Sequence, residues 1–160
     1  MSAWPVAVVQ YNLVCAKLCV ARPNTQELCM IFRYTIFYVD DVRATLEFYS
    51  AALGLEIGVV HESGDYGELK TGETKLAFSS VALMNSLGKS PASPDPKNPV
   101  FEIAFETDDV EGDFARAVAA GAKVVQDVKQ ELWGQTTSYL EDPNGYLFEI
   151  CSPVQLPSPG

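Results

Sequence analysis

Few side chains in this sequence could perform chemistry at a defined site. Beyond its first 29 residues the chain has one histidine, His61, and one cysteine, Cys151. It has no glycine-rich phosphate loop, no Cys-x-x-Cys pair and no serine nucleophile elbow. Two glutamates, Glu102 and Glu149, stand inside apolar segments, and Trp133 precedes a glycine. Such residues can bind a cation or stack on a planar ligand, and the carboxylates could also transfer a proton.

The excess of negative charge limits the classes of partner that the protein is expected to bind. The 160-residue chain carries 21 acidic and 11 basic side chains, a formal charge of −10. A surface of this sign repels phosphate backbones and anionic lipid, so we expect neither nucleic acid nor membrane as a partner. Two explanations of the charge stay open: it serves solubility alone, or it also favours cationic ligands.

The distribution of cysteines indicates a reducing compartment. Three of the four cysteines fall within the first 29 residues, so the rest of the chain has only Cys151. A single cysteine cannot form a disulfide within that part of the chain, which predicts a cytoplasmic protein. The sequence also lacks an uninterrupted apolar run long enough to span a bilayer.

From residue 30 the sequence predicts one helix among four strands. Asp40 and Asp41 are suited to cap a helix whose apolar residues recur at helical spacing until Gly54, the expected C-terminal stop. Segments rich in β-branched and aromatic residues predict the strands. These strands are Ile31–Val39 before the helix and Glu56–His61, Tyr66–Thr71 and Thr74–Ser80 after it.

The same order of elements then repeats. Asp108 and Asp109 offer N-caps, and Glu111 is placed to complete a capping box. Gly121 is the expected helix end, and residues 142–145 (Asp-Pro-Asn-Gly) predict a strong turn. The strands are expected at Val100–Thr107, Lys123–Val128, Gln135–Glu141 and Tyr146–Cys151. Two alignable βαβββ units in one chain indicate a duplicated α+β domain.

This repeat divides the chain into modules and a linker. We expect modules at residues 31–80 and 100–151, within one domain that covers 30–153. The segment 81–99 is the expected linker and a candidate lid. Its part from Ser86 to Pro99 contains four prolines and several small polar residues, a composition typical of a loop.

The two ends of the chain match neither module. For residues 1–29 two hypotheses stay open: an extension without a functional role, or a segment that docks on the body or on a second subunit. Met30, immediately before the first strand, would serve well as a translation start. Residues 154–160 are expected to form a C-terminal tail.

Three groups of residues carry a resemblance to a known family. They are Tyr38-Val39-Asp40-Asp41-Val42 with Leu53-Gly54-Leu55, Thr107-Asp108-Asp109-Val110 with Ala119-Ala120-Gly121-Ala122, and Trp133-Gly134-Gln135 with Glu141-Asp142-Pro143-Asn144-Gly145-Tyr146. Over about residues 31–153 the chain resembles the vicinal oxygen chelate superfamily of glyoxalases, bleomycin-resistance proteins and extradiol dioxygenases. The resemblance implies two βαβββ modules that form a curved mixed sheet around a cleft. It also implies a homodimer, because many members are homodimers, some with exchanged modules.

The resemblance also shows which residues of this sequence occupy the metal-ligand positions of the family. Enzymes of this superfamily hold a divalent metal with four side chains, usually His and Glu, on the first and last strands of the modules. Those positions correspond to Tyr34, to Ala77 or Phe78, to Glu102 and to Glu149. Tyrosine ligates poorly at neutral pH because its pKa is about 10, and alanine and phenylalanine cannot ligate. Transition-metal sites need three or four convergent donors, so we expect no metal cofactor.

Strand alternation predicts the lining of the cleft if Tyr34 points inward. Ile36 and Tyr38 then share its face, and Ala104 shares the face of Glu102. The lining is aromatic and aliphatic with two carboxylates set into it, which is typical of a ligand-binding cavity. The expected ligand-binding residues are Tyr34, Ile36, Tyr38, Phe78, Glu102, Ala104, Trp133, Tyr139 and Glu149.

Two interpretations stay open for the most informative of these residues. Glu102 and Glu149 either accept hydrogen bonds from nearby tyrosines or attract a positively charged guest that relieves the cost of burying them. Trp133 either stacks on a planar ligand at the cleft mouth or covers the core or a dimer contact. His61 is expected to be an ordinary strand or surface residue.

The sequence therefore predicts a non-enzymatic binding protein, similar to the bleomycin-resistance type, that sequesters a small hydrophobic or cationic, planar aromatic compound. The alternative is a metal-dependent lyase, isomerase or dioxygenase of the same superfamily with an incomplete or unusual metal site. A third hypothesis is a structural or protein-interaction role, which requires a filled cleft.

Overall fold

The computed structural model describes residues 30–154, and a compact unit begins at Arg33. Residues 1–29 and 155–160 lie outside the described residues, as do the expectations for the opening segment and for most of the C-terminal tail. The predicted fold class is confirmed, because two βαβββ modules, each with a four-stranded mixed sheet, form an α+β domain. Within residues 30–154 no helix has both the length and the apolar character that crossing a bilayer requires.

The first module has the predicted order of elements. They are β1 (Tyr34–Val39), α1 (Val42–Leu53), β2 (Ile57–Val60), β3 (Tyr66–Leu69) and β4 (Lys75–Ser80). The order across the sheet is β1-β4-β3-β2, with β1 parallel to β4 and the other pairs antiparallel. β1 begins later than the predicted Ile31 because its partner β4 begins only at Lys75, which pairs with Tyr34.

A short helix that the sequence did not predict follows the first module. α2 (Val81–Ser86) begins directly after β4, inside the segment expected to be the linker. The hydroxyl of Ser80 accepts a hydrogen bond from the N–H of Leu83 at 3.0 Å and caps the helix. Six residues are too few to show a helical period in the sequence. From Leu87 to Glu102 the chain forms neither helix nor strand.

The second module repeats the first. Its elements are β5 (Ile103–Glu106), α3 (Val110–Ala119), β6 (Lys123–Gln130), β7 (Thr136–Glu141) and β8 (Leu147–Cys151). The order across the sheet is β5-β8-β7-β6, and β5 is parallel to β8. β5 begins at Ile103 and not at the predicted Val100, since Ile103 pairs with Phe148, the second residue of β8.

Helix α1 begins and ends where its capping residues predict. A carboxylate oxygen of Asp41 accepts a hydrogen bond from the N–H of Ala44 at 2.9 Å. At the other end Gly54 has a φ of 68°, a left-handed conformation that residues with a side chain adopt at a cost. The cap residues therefore fix the direction in which the chain leaves the helix toward β2.

Helix α3 is capped differently from the prediction. Its N-cap is Asp109, whose carboxylate accepts a hydrogen bond from the N–H of Gly112 at 3.0 Å. The expected capping box at Glu111 is wrong, because that box requires Asp108 as the cap. With Asp109 as the cap, the third helical position is Gly112, which has no side chain to complete the box.

The two modules share one hydrophobic core. Tyr49 of α1 is fully buried and stacks on Phe78 of β4 with ring centroids 5.3 Å apart. The same ring lies 5.9 Å from that of Phe148 on β8. Because one side chain of α1 contacts both sheets, the helix-facing sides of the sheets meet in this core. The opposite side of each sheet, here called its open face, is turned away from the core.

A buried carboxylate adds a polar link between the modules. Asp142 is fully buried after β7 and accepts hydrogen bonds from the hydroxyl of Tyr49 at 3.1 Å and from the N–H groups of Asn144 and Tyr146 at 2.9 and 2.8 Å. The amide of Asn144 donates to Asp142 at 3.3 Å and to the hydroxyl of Thr45 at 3.1 Å. Burial raises the pKa of Asp142 above its usual range. Stability gained from its protonated form is therefore present below pH 3.8 and lost as pH rises through the folded-state pKa.

Candidate ligand-binding site

Side-chain alternation along β1 separates core residues from open-face residues. Phe37 and Val39 are buried in the core. Tyr34, Ile36 and Tyr38 therefore lie on the open face of the first sheet. Tyr34 is 45% exposed and Ile36 is 42% exposed, while Tyr38 is half-buried. The open face thus presents aromatic and aliphatic side chains, in the alternation that the sequence predicted for this strand.

Phe78 does not belong to this open face. The register pairs Ile36 with Ala77 and Phe37 with Phe78, so Ala77 shares the open face and Phe78 points into the core. Phe78 is fully buried against Tyr49. The prediction that Phe78 lines the cavity is therefore wrong, because successive side chains of a strand point to opposite faces. Of the two alternatives given for the fourth strand, the register selects Ala77.

A tyrosine and a glutamate of β3 complete the first open face. The hydroxyl of Tyr66 donates a hydrogen bond to Glu68 at 2.9 Å. Burial, together with the adjacent Glu68 carboxylate, raises the pKa of Tyr66 well above its ordinary value. The phenol therefore stays protonated at neutral pH and remains a donor to the carboxylate.

Glu149 lies at the centre of the open face of the second sheet. It is half-buried, and its register partners are Ala104 on β5 and Tyr139 on β7. Burial raises the pKa of Glu149, the charges of Glu102 and Glu131 raise it further, and the hydroxyl of Tyr139 partly offsets them. Glu102 and Glu131 therefore lie close enough to act on Glu149, and we call these three residues the acidic cluster.

Tyr139 responds to the same charges. Burial and the nearby carboxylates of Glu149 and Glu102 raise its pKa to about 12. The phenol is consequently neutral at physiological pH and can donate to a cluster carboxylate. Hydrogen bonding by a tyrosine is thus part of the site, yet the pKa of Glu149 remains raised, chiefly because the carboxyl group is partly buried.

Glu131 is a member of the site that the sequence did not predict. Its side chain is only 10% exposed and lies 3.0 Å from the ammonium of Lys129, and it accepts a hydrogen bond from the hydroxyl of Thr137 at 3.3 Å. The turn from Glu131 to Gly134 between β6 and β7 brings it back over the sheet, with Gly134 at a φ of 90°. The turn glycine was the signal in the sequence that could have located it.

Trp133 lies in the same turn as Glu131. It is 61% exposed, and its indole N–H donates to the side chain of Gln135 at 3.0 Å. Such an exposed ring does not cover the core of residues 30–154, which removes one of the alternatives for Trp133. A contact with a ligand or with a second subunit stays open.

The carried-over metal positions include only two strong donor side chains. Tyr34 and Ala77 lie on the first open face, whereas Glu102 and Glu149 belong to the second. Within residues 30–154 no group of three or more His, Cys, Asp or Glu residues is arranged to hold a metal ion. This donor set does not fit the divalent metal of the enzymes, and His61 is an exposed residue that contacts Ser63.

Two βαβββ modules with an acidic and an aromatic open face define a small α+β domain of the glyoxalase type. The model of the Glyoxalase/Bleomycin resistance protein/Dioxygenase superfamily matches residues 31–150. The chain therefore belongs to this superfamily, and the resemblance noted in the sequence is confirmed.

Individual relatives agree with this assignment. An uncharacterized protein of Mycobacterium bovis is 29% identical over 123 residues, which cover 73% of this chain and 80% of the relative. A glyoxalase/bleomycin resistance protein/dioxygenase family enzyme of Burkholderia phytofirmans has a similar structure, with a TM-score of 0.67 at 21% identity over 79% of this chain and 100% of that one. A lactoylglutathione lyase of Agrobacterium tumefaciens gives a TM-score of 0.60 at 22% identity over 76% of this chain and 92% of the lyase. At these identities the solved structures show the fold alone.

Proposed function

We propose that the protein binds a small, planar, cationic aromatic compound at the open face of the second sheet and sequesters it without changing it chemically. The acidic cluster is the observation that carries this proposal. Glu149 has a raised pKa because its own burial and the charges of Glu102 and Glu131 oppose its ionisation. A cationic guest would relieve both the desolvation and the repulsion.

An aromatic group beside the cluster supports a planar guest. Trp133 is 61% exposed and stands two positions after Glu131 in the same turn. Tyr139 is half-buried beside Glu149. A flat cation can stack on such rings while its charge faces a carboxylate.

We propose that a homodimer in the cytoplasm completes the cavity. The exposed Tyr34 and Ile36 of the first open face leave apolar surface in water, which a second copy would cover. If that copy places its first open face opposite the acidic cluster, the aromatic and acidic walls come together around one ligand. Cys151, the one cysteine among residues 30–154, is buried and free, as expected in a reducing compartment.

The proposal predicts a pH-dependent affinity for a permanent cation. N-methylacridinium should bind more tightly at about pH 8 than at about pH 5, because protonation of Glu149, whose pKa is raised, removes its attraction. Glu102, Glu131 and Tyr139 act on the same carboxylate, and the ammonium of Lys129 lies 3.0 Å from Glu131. Isothermal titration calorimetry at the two pH values measures the difference, with neutral acridine at pH 8 as the uncharged comparison.

Matched variants locate the binding. Glu149→Gln should weaken N-methylacridinium binding about tenfold and flatten its pH dependence. Glu111→Gln, an exposed substitution on α3, should leave it unchanged. Ligand-induced quenching of tryptophan emission should be lost in Trp133→Phe. Equal affinity for acridine and its methylated cation, or unchanged affinity in Glu149→Gln, would contradict the proposal.

Elemental analysis separates this function from the metal-dependent alternative. Protein purified without chelator should contain far less than one equivalent of Zn, Ni, Fe or Mn per chain, because only Glu102 and Glu149 among the four carried-over positions are strong donors. A stoichiometric transition metal that is lost in both Glu102→Gln and Glu149→Gln would favour the lyase, isomerase or dioxygenase hypothesis.

A further inference from the structure

A second cavity lies at one end of the junction between the modules and adjoins the second sheet at Ala104, the register partner of Glu149. Its volume is about 460 Å³, within the range of roughly 300–1,000 Å³ that is usual for small-molecule sites. Ile103, Ala104 and Phe105, three consecutive residues of β5, form one wall. Leu55, part of β1, the turn after β3 and the start of β4 form the other.

The charge of this cavity is opposite to that of the protein. Its described lining includes the two lysines Lys70 and Lys75 and contains no carboxylate, although the chain has a net charge of −10. Lys70 forms an ion pair with Glu56. Lys75 has no ion-pair or side-chain hydrogen-bond partner within residues 30–154. Lys75 therefore leaves an uncompensated positive charge at the cavity.

The position of Lys75 is fixed by the backbone of the sheet. It is the first residue of β4, pairs with Tyr34 across the parallel ladder and donates its N–H to the carbonyl of Arg33 at 2.8 Å. The preceding turn is held by the hydroxyl of Thr71, which accepts the N–H of Leu76 at 3.0 Å. The ammonium is thus attached to a rigid part of the fold, which limits the entropy lost when it meets a ligand.

The β5 wall offers further donors. β5 is the edge strand of its sheet. Three consecutive residues of β5 line the cavity, although successive side chains of a strand point to opposite faces. The cavity therefore runs along the edge of the strand and not over one face. Successive N–H groups of a strand point to opposite sides, so at least one N–H of this segment points to the unpaired edge. The rings and methyl groups of Phe105 and Ile103 supply an apolar surface beside it.

We propose that this cavity is a second binding site, for an organic carboxylate with an apolar body. The carboxylate pairs with Lys75 and with the free N–H groups of the β5 edge, and the apolar body packs against Ile103 and Phe105. A cationic aromatic compound is excluded by Lys75, so the two sites select ligands of opposite charge. The inference does not depend on the function proposed for the acidic cluster.

Naphthalene probes of matched shape test the charge selectivity. The full chain should bind 2-naphthoate at least about tenfold more tightly than neutral 2-naphthamide, as measured by calorimetry at neutral pH. Lys75→Met, which keeps the length of the side chain and removes its charge, should abolish this preference while 2-naphthamide binding stays the same. Lys75→Arg should retain the preference.

A control variant and the cationic probe complete the test. Lys123 is also the first residue of a strand, but it is paired with Glu141 and lies outside the cavity, so Lys123→Met should keep the naphthoate preference. The inference is overturned if the wild type does not discriminate between the naphthalenes, if Lys75→Met still discriminates, or if Lys123→Met loses the preference equally. Failure of N-methylacridinium to bind would reject only the function proposed for the acidic cluster.

Discussion

Replacing Asp142 with alanine should destabilise the protein by about 3–5 kcal/mol, as measured by urea denaturation. The carboxylate is fully buried and accepts four hydrogen bonds, from Tyr49, from Tyr146 and twice from Asn144. Alanine would leave the Tyr49 hydroxyl without a partner inside the core and would remove an acceptor from the half-buried Asn144 and Tyr146. Each unsatisfied buried group costs about 1–3 kcal/mol. The melting temperature should fall on the order of 10 °C.

Asp95 provides a matched control for this substitution. Its carboxylate also accepts the N–H of the residue two positions later, at 3.0 Å, and a side-chain amide, from Asn98 at 2.8 Å. However, Asp95 is exposed in the loop between the modules, where water can replace its hydrogen bonds. Asp95→Ala should therefore change stability by less than about 1 kcal/mol. Equal losses in the two variants would show that burial of Asp142 is not the source of the effect.

Elements with local signals were predictable from the sequence. Asp41 and Gly54 mark both ends of α1, and the turn at residues 142–145 lies where proline, asparagine and glycine placed it. Local signals work here because a cap or a turn is satisfied by groups a few residues away. The tyrosine that bonds Asp142 is 93 positions away in the sequence, so the same turn gave no sign that it joins the modules.

Features that depend on register or on tertiary contacts were not predictable. Ala77 and Phe78 are both compatible with an apolar strand, and the pairing with β1 decides which of them faces the core. A shift of one residue moves a side chain to the opposite face of the sheet. The sequence therefore placed Phe78 on the open face, although the side chain lies in the core. Glu102 and Glu149 were found because they occupy the metal positions of the family that the sequence resembles, whereas Glu131, which reaches the site from a turn, was not found.

The sequence gives the net charge of the chain, but only the fold shows where the charged side chains lie. A net charge of −10 is compatible with an evenly charged surface. The fold instead gathers Glu102, Glu131 and Glu149 on one open face, while the described residues that line the cavity at Lys75 include no carboxylate. Whether the charge serves solubility alone or also attracts ligands can therefore be asked separately for each site. Charged and neutral probes of the same shape answer that question.

Phe78→Ala should separate the core from the binding surface. Removal of this fully buried ring, which stacks on Tyr49, should lower the free energy of unfolding by about 3–5 kcal/mol. The affinity of the folded protein for N-methylacridinium should not change, because the ring is turned away from the open face. Urea denaturation and calorimetry measure the two effects, and Phe78→Leu replaces the alanine variant if the latter does not fold.

Ile36→Ala is the matched substitution on the other side of the same sheet. Ile36 pairs with Ala77, is 42% exposed and belongs to the open face, so its loss should cost less than about 1 kcal/mol of stability. If a second copy places this face against the acidic cluster, Ile36→Ala should weaken N-methylacridinium binding several-fold. A stable Phe78→Ala protein with weakened binding would instead return Phe78 to the ligand site. That result would require a different register between β1 and β4, because the observed pairing cannot bring Phe78 and Ile36 to the same face.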